Sequence, residues 1–324
     1  TLIGSKNNLT TITGNISPSF LKNHLSLDAS VKNTNSTWPQ NGGSYVSAAL
    51  TDPTQPIYFY YGPATVNGIS YPQKAFGYFM YGASATGANP QWTNNPVASV
   101  MLPGFGKTKT NTLLSNALLS YKIHGFENLT LNASISSSNI KSTGNYLGQD
   151  NAPNTWSASN VNLGKGGLAT NNNTDDTNNR YVLDYYLNFK KAFGKHDIDF
   201  TAGHTYESNK MKSNSSAVTY TDGTAVAGSV PSSVESQLTL ASYFGRLNYI
   251  FNHKYLITGT MRADASSRFA PETRWGYFPS VAFAWKLNEE NFLKNSRIIN
   301  ELKLRASYGI AGQQNIKNVY AYQA

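Results

Sequence analysis

The 324-residue sequence contains no cysteine. Disulfides, thiolate-bound metals and a cysteine nucleophile are excluded, and the composition is ordinary for a chain that crosses an oxidising compartment. Charge is scarce too, at 13% of residues, about half the share of an average soluble domain. So few charges are a poor covering for a soluble surface. No apolar run approaches the ~18 residues of a membrane-crossing helix. If such a chain lives in a membrane it must do so as a barrel, because only helices and closed sheets satisfy every backbone group in lipid. Enzymatic motifs are missing as well. Gly104-Phe-Gly-Lys-Thr108 has Met101 where a phosphate loop needs glycine, and it leads into a strand rather than a helix. There is no His-Glu-x-x-His, and four of the five histidines fall in separate turns. Asn171-Asn-Asn-Thr-Asp-Asp176 lacks the spaced acids of a calcium loop and reads as a solvated loop tip. No cofactor is expected. The net charge of +9 is spread along strands and turns rather than gathered in a basic stripe, so nucleic acid is not an expected partner.

What the chain has in quantity is tyrosine, 21 residues in all, on a background of Asn, Ser and Thr. It also has alternation. Tyr255, Ile257, Gly259 and Met261 share one face of a run whose other face carries Thr258, Thr260, Arg262 and Asp264. Trp275, Tyr277, Val281, Phe283 and Trp285 repeat the pattern, as do Leu302, Leu304, Ala306, Tyr308 and Ile310. Side chains on a strand alternate faces, and runs of about ten residues suit tilted strands crossing a bilayer.

The runs pair around short connections: 10–17 with 24–31, 113–123 with 129–135, 180–193 with 197–207, and 238–251 with 255–264. Connections of two to five residues make hairpins. The links between hairpins, 38–107, 141–179 and 210–235, are long, and only 264–273 is shorter. Short turns on one side and long loops on the other is the asymmetry of outer-membrane barrels, periplasmic and extracellular respectively. Phe20, Phe126, Phe193 and Phe251, with His24, His124, His196 and His253, cluster at the short turns as an interfacial belt would. Asn288, Glu289 and Glu290 predict a short helix within 288–300, with Asn288 as its N-cap. The expected fold is all-β: an antiparallel meander of about ten strands forming part of a large transmembrane barrel. Ten strands entered from outside would leave both ends extracellular, so residues 1–324 read as a partial barrel domain.

Two sets of residues stand out as candidate contacts. In the long link, Tyr58, Tyr60, Tyr61, Tyr71, Tyr78, Tyr81 and Trp92 supply rings that either pack on one another or meet a partner or cargo. Near the outer mouth, Arg262, Asp264, Arg268 and Arg274 cluster; their competing use is mutual ion pairing on the wall. Asp184, Asn188, Lys190, Asp199, Lys303 and Arg305 are also expected to face the lumen, with Leu183, Tyr185, Leu187, Phe189, Ile198, Phe200 and Ala202 facing lipid. The alternative is a soluble or surface-displayed β-rich module that grips carbohydrate with its loops. That fold would bury the same apolar residues between two sheets.

Specific residues carry a resemblance. Arg262-Ala-Asp-Ala-Ser-Ser-Arg-Phe269, Arg274-Trp-Gly-Tyr-Phe-Pro-Ser-Val281 and Leu302-Lys-Leu-Arg-Ala-Ser-Tyr-Gly309 resemble the late barrel region of the SusC/RagA family, TonB-linked outer-membrane transporters of Bacteroidetes. Asp52-Pro-Thr-Gln-Pro-Ile-Tyr58, and Asn15-Ile-Ser-Pro-Ser-Phe20 with Leu25-Ser-Leu-Asp-Ala-Ser-Val31, are similar to other parts of it. Ala265 stands where such a transporter carries glycine. The resemblance implies a plugged barrel of about 22 strands, of which this chain would supply roughly half. It implies import of oligosaccharide or peptide cargo under a SusD-like surface lipoprotein, and coupling to the TonB complex. No plug or coupling segment is recognisable near Thr1, so that coupling is expected through an N-terminal region missing from the sequence.

Overall fold

The computed structural model describes residues 6–40, 64–66, 69–71, 106–148, 150, 168–294, 296 and 298–314. Ten strands dominate it: β1 (Asn8–Ile16), β2 (Leu25–Gln40), β3 (Gly106–Lys122), β4 (Leu129–Leu147), β5 (Thr170–Phe193), β6 (His196–Ser215), β7 (Ser232–Phe251), β8 (Tyr255–Ser266), β9 (Trp275–Lys286) and β10 (Lys303–Gly309). Each pairs antiparallel with its sequence neighbour, in chain order from β1 to β10, in one sheet. Among the described residues β1 and β10 do not pair with each other, so the sheet is open.

The registers run without a break, and paired residues lie on the same face. Leu131, Leu187 and Ala202 form one cross-strand row, and Phe189, Phe200, Leu247, Gly259, Val281 and Tyr308 another. The apolar sides of all ten strands therefore point the same way. Among the described residues nothing covers them: Leu183 is 43% and Phe200 38% exposed. Only Ala169, Tyr220 and Ala265 are buried hydrophobics among the described residues. A soluble sandwich would sequester these side chains between layers, so the soluble form of the alternative module is excluded. A single-layer wall with an uncovered apolar face is stable where lipid is the solvent.

Aromatic rings edge the apolar band at two levels. The lower row runs Phe193, His196, Phe251, Tyr255 and Trp285, with successive centroids 5.2, 5.1, 6.3 and 6.1 Å apart. The upper row is Tyr185, His204, Tyr243 and Trp275, at 5.0, 4.6 and 6.0 Å. On β6 the rows are eight positions apart, from His196 to His204. At ~3.3 Å per residue and a tilt near 40° that separates them by about 20 Å along the membrane normal, close to the height of a barrel's apolar band.

Three expectations are corrected. The links 141–179 and 210–235 are shorter than predicted, because β4, β5, β6 and β7 all continue beyond the upper row. Outward positions there turn to Asn, Thr, Asp and Lys, so hydrophobic alternation stops while the hydrogen-bonded ladder goes on. Asn171 to Asp176 accordingly lie within β5 rather than at a loop tip. The predicted helix is a single 3₁₀ turn, Leu287–Glu289, preceded by Lys286 and without a side-chain cap. Tertiary partners win over the local helix signal. The Leu287 and Asn288 amides both donate to the Leu302 carbonyl, at 2.8 and 3.3 Å.

Glu290 is drawn instead to the lower belt. It accepts from Lys254 Nζ at 2.9 Å, Tyr255 Oη at 2.7 Å and Trp285 Nε1 at 3.0 Å. These donors, Lys254 first, hold its carboxyl at about 2. A carboxylate whose pKa falls on folding contributes stability that is fully present above its unfolded value and lost as pH falls through the folded one. The clasp is therefore expected to hold down to about pH 4.5 and to fail progressively toward pH 2. Limited proteolysis of the link between β9 and β10 in the full-length protein checks this: Glu290→Gln is expected to be cut faster at neutral pH and to lose the acid transition.

Turn chemistry sets the short ends. Asn252 and His253 both have positive φ, 50° and 56°, and the Lys254 amide bonds the Phe251 carbonyl at 3.0 Å. That is the type I′ geometry whose twist matches flanking strands, and asparagine tolerates it. Gly194, at φ 58°, opens the two-residue turn between β5 and β6.

Candidate functional site

The face opposite the apolar one is polar and internally bonded. Asp184 accepts from Thr205 Oγ1 at 2.6 Å and Ser134 Oγ at 3.1 Å. Asn188 donates to Asp199 Oδ1 and Thr201 Oγ1, both at 2.9 Å, and Lys190 pairs with Asp199 at 3.3 Å. Asn248 Oδ1 accepts from Thr258 at 2.9 Å and Arg246 at 3.2 Å. Lys303 and Arg305 lie on this face as well, opposite Lys286 and Ala284. Apart from Arg246–Asn248, which lies within β7, these bonds cross from strand to strand, so the wall holds its lumen side chains in fixed positions.

At the outer end of β7, β8 and β9 this face hollows into a pocket of about 560 Å³. Register explains its makers. Ser242 pairs with Asp264, Asp264 with Gly276, and Arg262 with Phe278, so all five share the inner face. Arg262 Nε reaches both oxygens of Asp264, at 2.7 and 2.9 Å, and its Nη2 donates to Ser242 Oγ at 2.9 Å. Arg274 lines the same pocket, and its Nε is buried with no hydrogen-bond partner among the described residues. Phe269 and Phe278 add rings to the wall. The Phe278 ring reaches Gly276, where any Cβ would come within 2.6 Å of its Cζ. Arg268 stands at the rim, where its Nη1 donates to the carbonyl of Gln314, itself a lining residue, at 3.3 Å.

Three of the four mouth charges expected from sequence thus meet in one pocket, with the fourth beside it. The Arg262–Asp264 pair is also the wall salt bridge expected as their competing use. What the sequence did not expose is Phe278 and Gly276 beside them, because only the β8–β9 register aligns these residues with Arg262 and Asp264. Of the aromatic candidates, Tyr71 ends a short strand, Ile69–Tyr71, paired with Ala64–Val66. Tyr58, Tyr60, Tyr61, Tyr78, Tyr81 and Trp92 lie outside the described residues.

A wall with lipid outside, a bonded polar lining and a charged pocket at its mouth is the architecture of an outer-membrane transporter barrel, and sequence comparison names the kind. Over 325 residues the chain is 34% identical to the TonB-dependent receptor SusC of Bacteroides thetaiotaomicron, covering 95% of this chain and 30% of that protein. The chain belongs to the SusC/RagA-like TonB-linked receptors. The TonB-dependent receptor P26 of Formosa agariphila is 31% identical over 287 residues, 86% of this chain and 26% of that one. This SusC-like chain therefore spans less than a third of the length of these curated relatives. No family model matches. Among solved structures, the RagAB peptide importer in its closed-closed state superposes with a TM-score of 0.68 at 18% identity, over 97% of this chain and 34% of that one. The ferric citrate transporter FecA follows at 0.51 and 8% identity, over 88% of this chain and 35% of that one. Both are likenesses of fold. The SusC-like chain is thus a stretch of outer-membrane barrel wall, with β1–β10 in the order such barrels use.

Proposed function

We propose that the full protein imports oligosaccharide or peptide fragments through this barrel. A plug and coupling segment outside residues 1–324 would draw energy from TonB, and a SusD-like surface lipoprotein would lid the outer mouth. The observation that carries the reading is the mouth pocket. Its buried Arg274 Nε, Arg262–Asp264 pair and two phenyl rings offer a passing fragment both hydrogen-bond donors and apolar faces. A donor left unpaired in a buried site is satisfied when an acceptor arrives. Kinship with SusC, and the likeness to a peptide importer, support transport over adhesion.

Uptake of labelled fragments by cells carrying the full-length protein tests this. Arg262→Met with Arg274→Met is expected to lower uptake about tenfold, the loss of one charge-assisted hydrogen bond, with folded barrel and lipoprotein association unchanged. Wild-type uptake in that variant removes the pocket from the cargo path. No uptake of any glycan or peptide fragment by the wild type overturns transport itself.

The aromatic link gives a second expected outcome. Tyr rings offer rigid contact area at low entropic cost, so replacing Tyr58, Tyr60 and Tyr61 with Ala is expected to weaken lipoprotein co-purification and leave the barrel folded. Unchanged association, uptake and protease resistance together would remove that link from function.

A further inference from the structure

The lysines that look dispersed along the chain are gathered by the strand register. On the outer face above the upper aromatic row, Lys107 and Lys109 of β3, Lys141 of β4, and Lys210 and Lys212 of β6 project around β5. Lys141, Thr177, Lys212 and Glu235 form one cross-strand row. Lys109, Thr143, Asp175 and Asn214 form the next. All five lysines are exposed. Two acids share the patch: Asp175 sits 3.8 Å from Lys141 and Glu235 2.6 Å from Lys210. Lys107, Lys109 and Lys212 have no ion pair among the described residues, so the patch keeps an excess of three positive charges. Beside it runs a groove of about 840 Å³, lined by Lys107, Lys109, Asn145, Asn173, Asp175 and Asn214.

Height decides what meets this surface. Tyr206, outward-facing and exposed, marks the last ring on β6. Lys210 and Lys212 follow four and six positions further out, roughly 10–15 Å along the normal at the usual rise and tilt. That is the depth of the outer leaflet's headgroups, not of the lumen and not of open solvent. Clustered lysines at headgroup depth attract anionic lipid, and the asparagine and threonine side chains between them offer partners to sugar hydroxyls.

We propose that the outer face of β3–β6 is a binding site for the phosphate-bearing sugar headgroup of an outer-leaflet glycolipid. The site depends on the barrel's place in the outer membrane and is independent of what the barrel imports. Lysines supply the charge that selects phosphate, and the groove seats the sugar. Bound lipid would cover the outward extensions of β4 to β6, which leave the apolar band with no other layer over them among the described residues.

The test uses full-length protein in phosphatidylcholine nanodiscs doped with bisphosphorylated lipid A or with the same lipid A dephosphorylated, bound lipid being counted by native mass spectrometry. Phosphorylated lipid A is expected to be retained preferentially, and added salt to release it. Each lysine near a charged headgroup contributes about fivefold in affinity, so Lys109→Gln, Lys141→Gln and Lys212→Gln together are expected to weaken retention on the order of a hundredfold. The same three positions changed to Arg are expected to keep it, and Lys32→Gln on the inner face to leave it unchanged. Equal retention of dephosphorylated lipid A, or retention by the triple Gln variant within about twofold of wild type, overturns the proposal. So does salt-insensitive retention by the wild type, a result that needs no variant to fold.

Discussion

Phe200→Arg in the full-length protein is expected to lower the stability of the bilayer-folded barrel by about 2–4 kcal/mol. Phe200 lies midway between His196 of the lower aromatic row and His204 of the upper, and its neighbours in register are Phe189 and Leu247. A guanidinium there has no headgroup within easy reach and no lumen to turn into, so its desolvation falls on the folded state. Leu187→Arg, one row nearer the outer leaflet, is expected to cost a similar amount or slightly less. Asn188→Arg is expected to cost far less. Asn188 faces Asp199 and Thr201 on the polar side, and an arginine there gains an acid neighbour. Unfolding titrations from lipid vesicles measure all three. Equal tolerance at the three positions would mean that the faces assigned to β5 and β6 are wrong.

Gly203→Val is expected to impair assembly as severely by a different route. Gly203 lies on the inner face of β6 between Tyr186 and Phe244. A Cβ built there would overlap Tyr186 Cβ and stand 2.6 Å from the Tyr185 carbonyl oxygen and 2.9 Å from the Phe244 ring. The ring could swing aside, but the carbonyl belongs to the β5 backbone and cannot move without opening the ladder. Overpacking of this kind costs about 1–3 kcal/mol, and more where backbone must shift. Gly245→Val is the internal control. It sits on the next strand but on the lipid face, with nothing within 4 Å of an added Cβ. The Gly203 variant is expected to reach the membrane in reduced amounts and unfold at lower denaturant, and the Gly245 variant to match wild type. A Gly203 variant as stable as wild type would mean that Tyr186 and Phe244 do not close over that position.

Much of the molecule can be read from its residues because strands announce themselves by period. Leu183, Tyr185, Leu187 and Phe189 on one face, against Asp184 and Asn188 on the other, specify a strand and the side each residue takes. The lower belt is legible for the same reason, since Phe193, His196 and Phe251 sit beside short turns. Legibility ends where hydrophobic contrast ends. The outer halves of β4 and β5, such as Asn171 to Asn179, are polar on both faces, so a hydrogen-bonded strand there looks like a loop. The upper aromatic row is equally hidden: Tyr185, His204, Tyr243 and Trp275 come from four strands, and no local pattern joins them.

The sequence by itself determined the all-β class, the membrane as solvent, the strand order and which residues share a face. Each of these follows from local alternation, turn chemistry and the lack of any long apolar run. The tertiary structure decided what only register can decide, because residues far apart in the chain become neighbours through inter-strand pairing. It brought Arg262 and Asp264 beside Phe278 and Gly276, set Gly203 against Tyr186 Cβ and the Phe244 ring, and collected five scattered lysines onto one outer face. It also replaced the predicted helix at Asn288 with a turn, since the Leu302 carbonyl and the Glu290 clasp offer that segment stronger partners than a helix would.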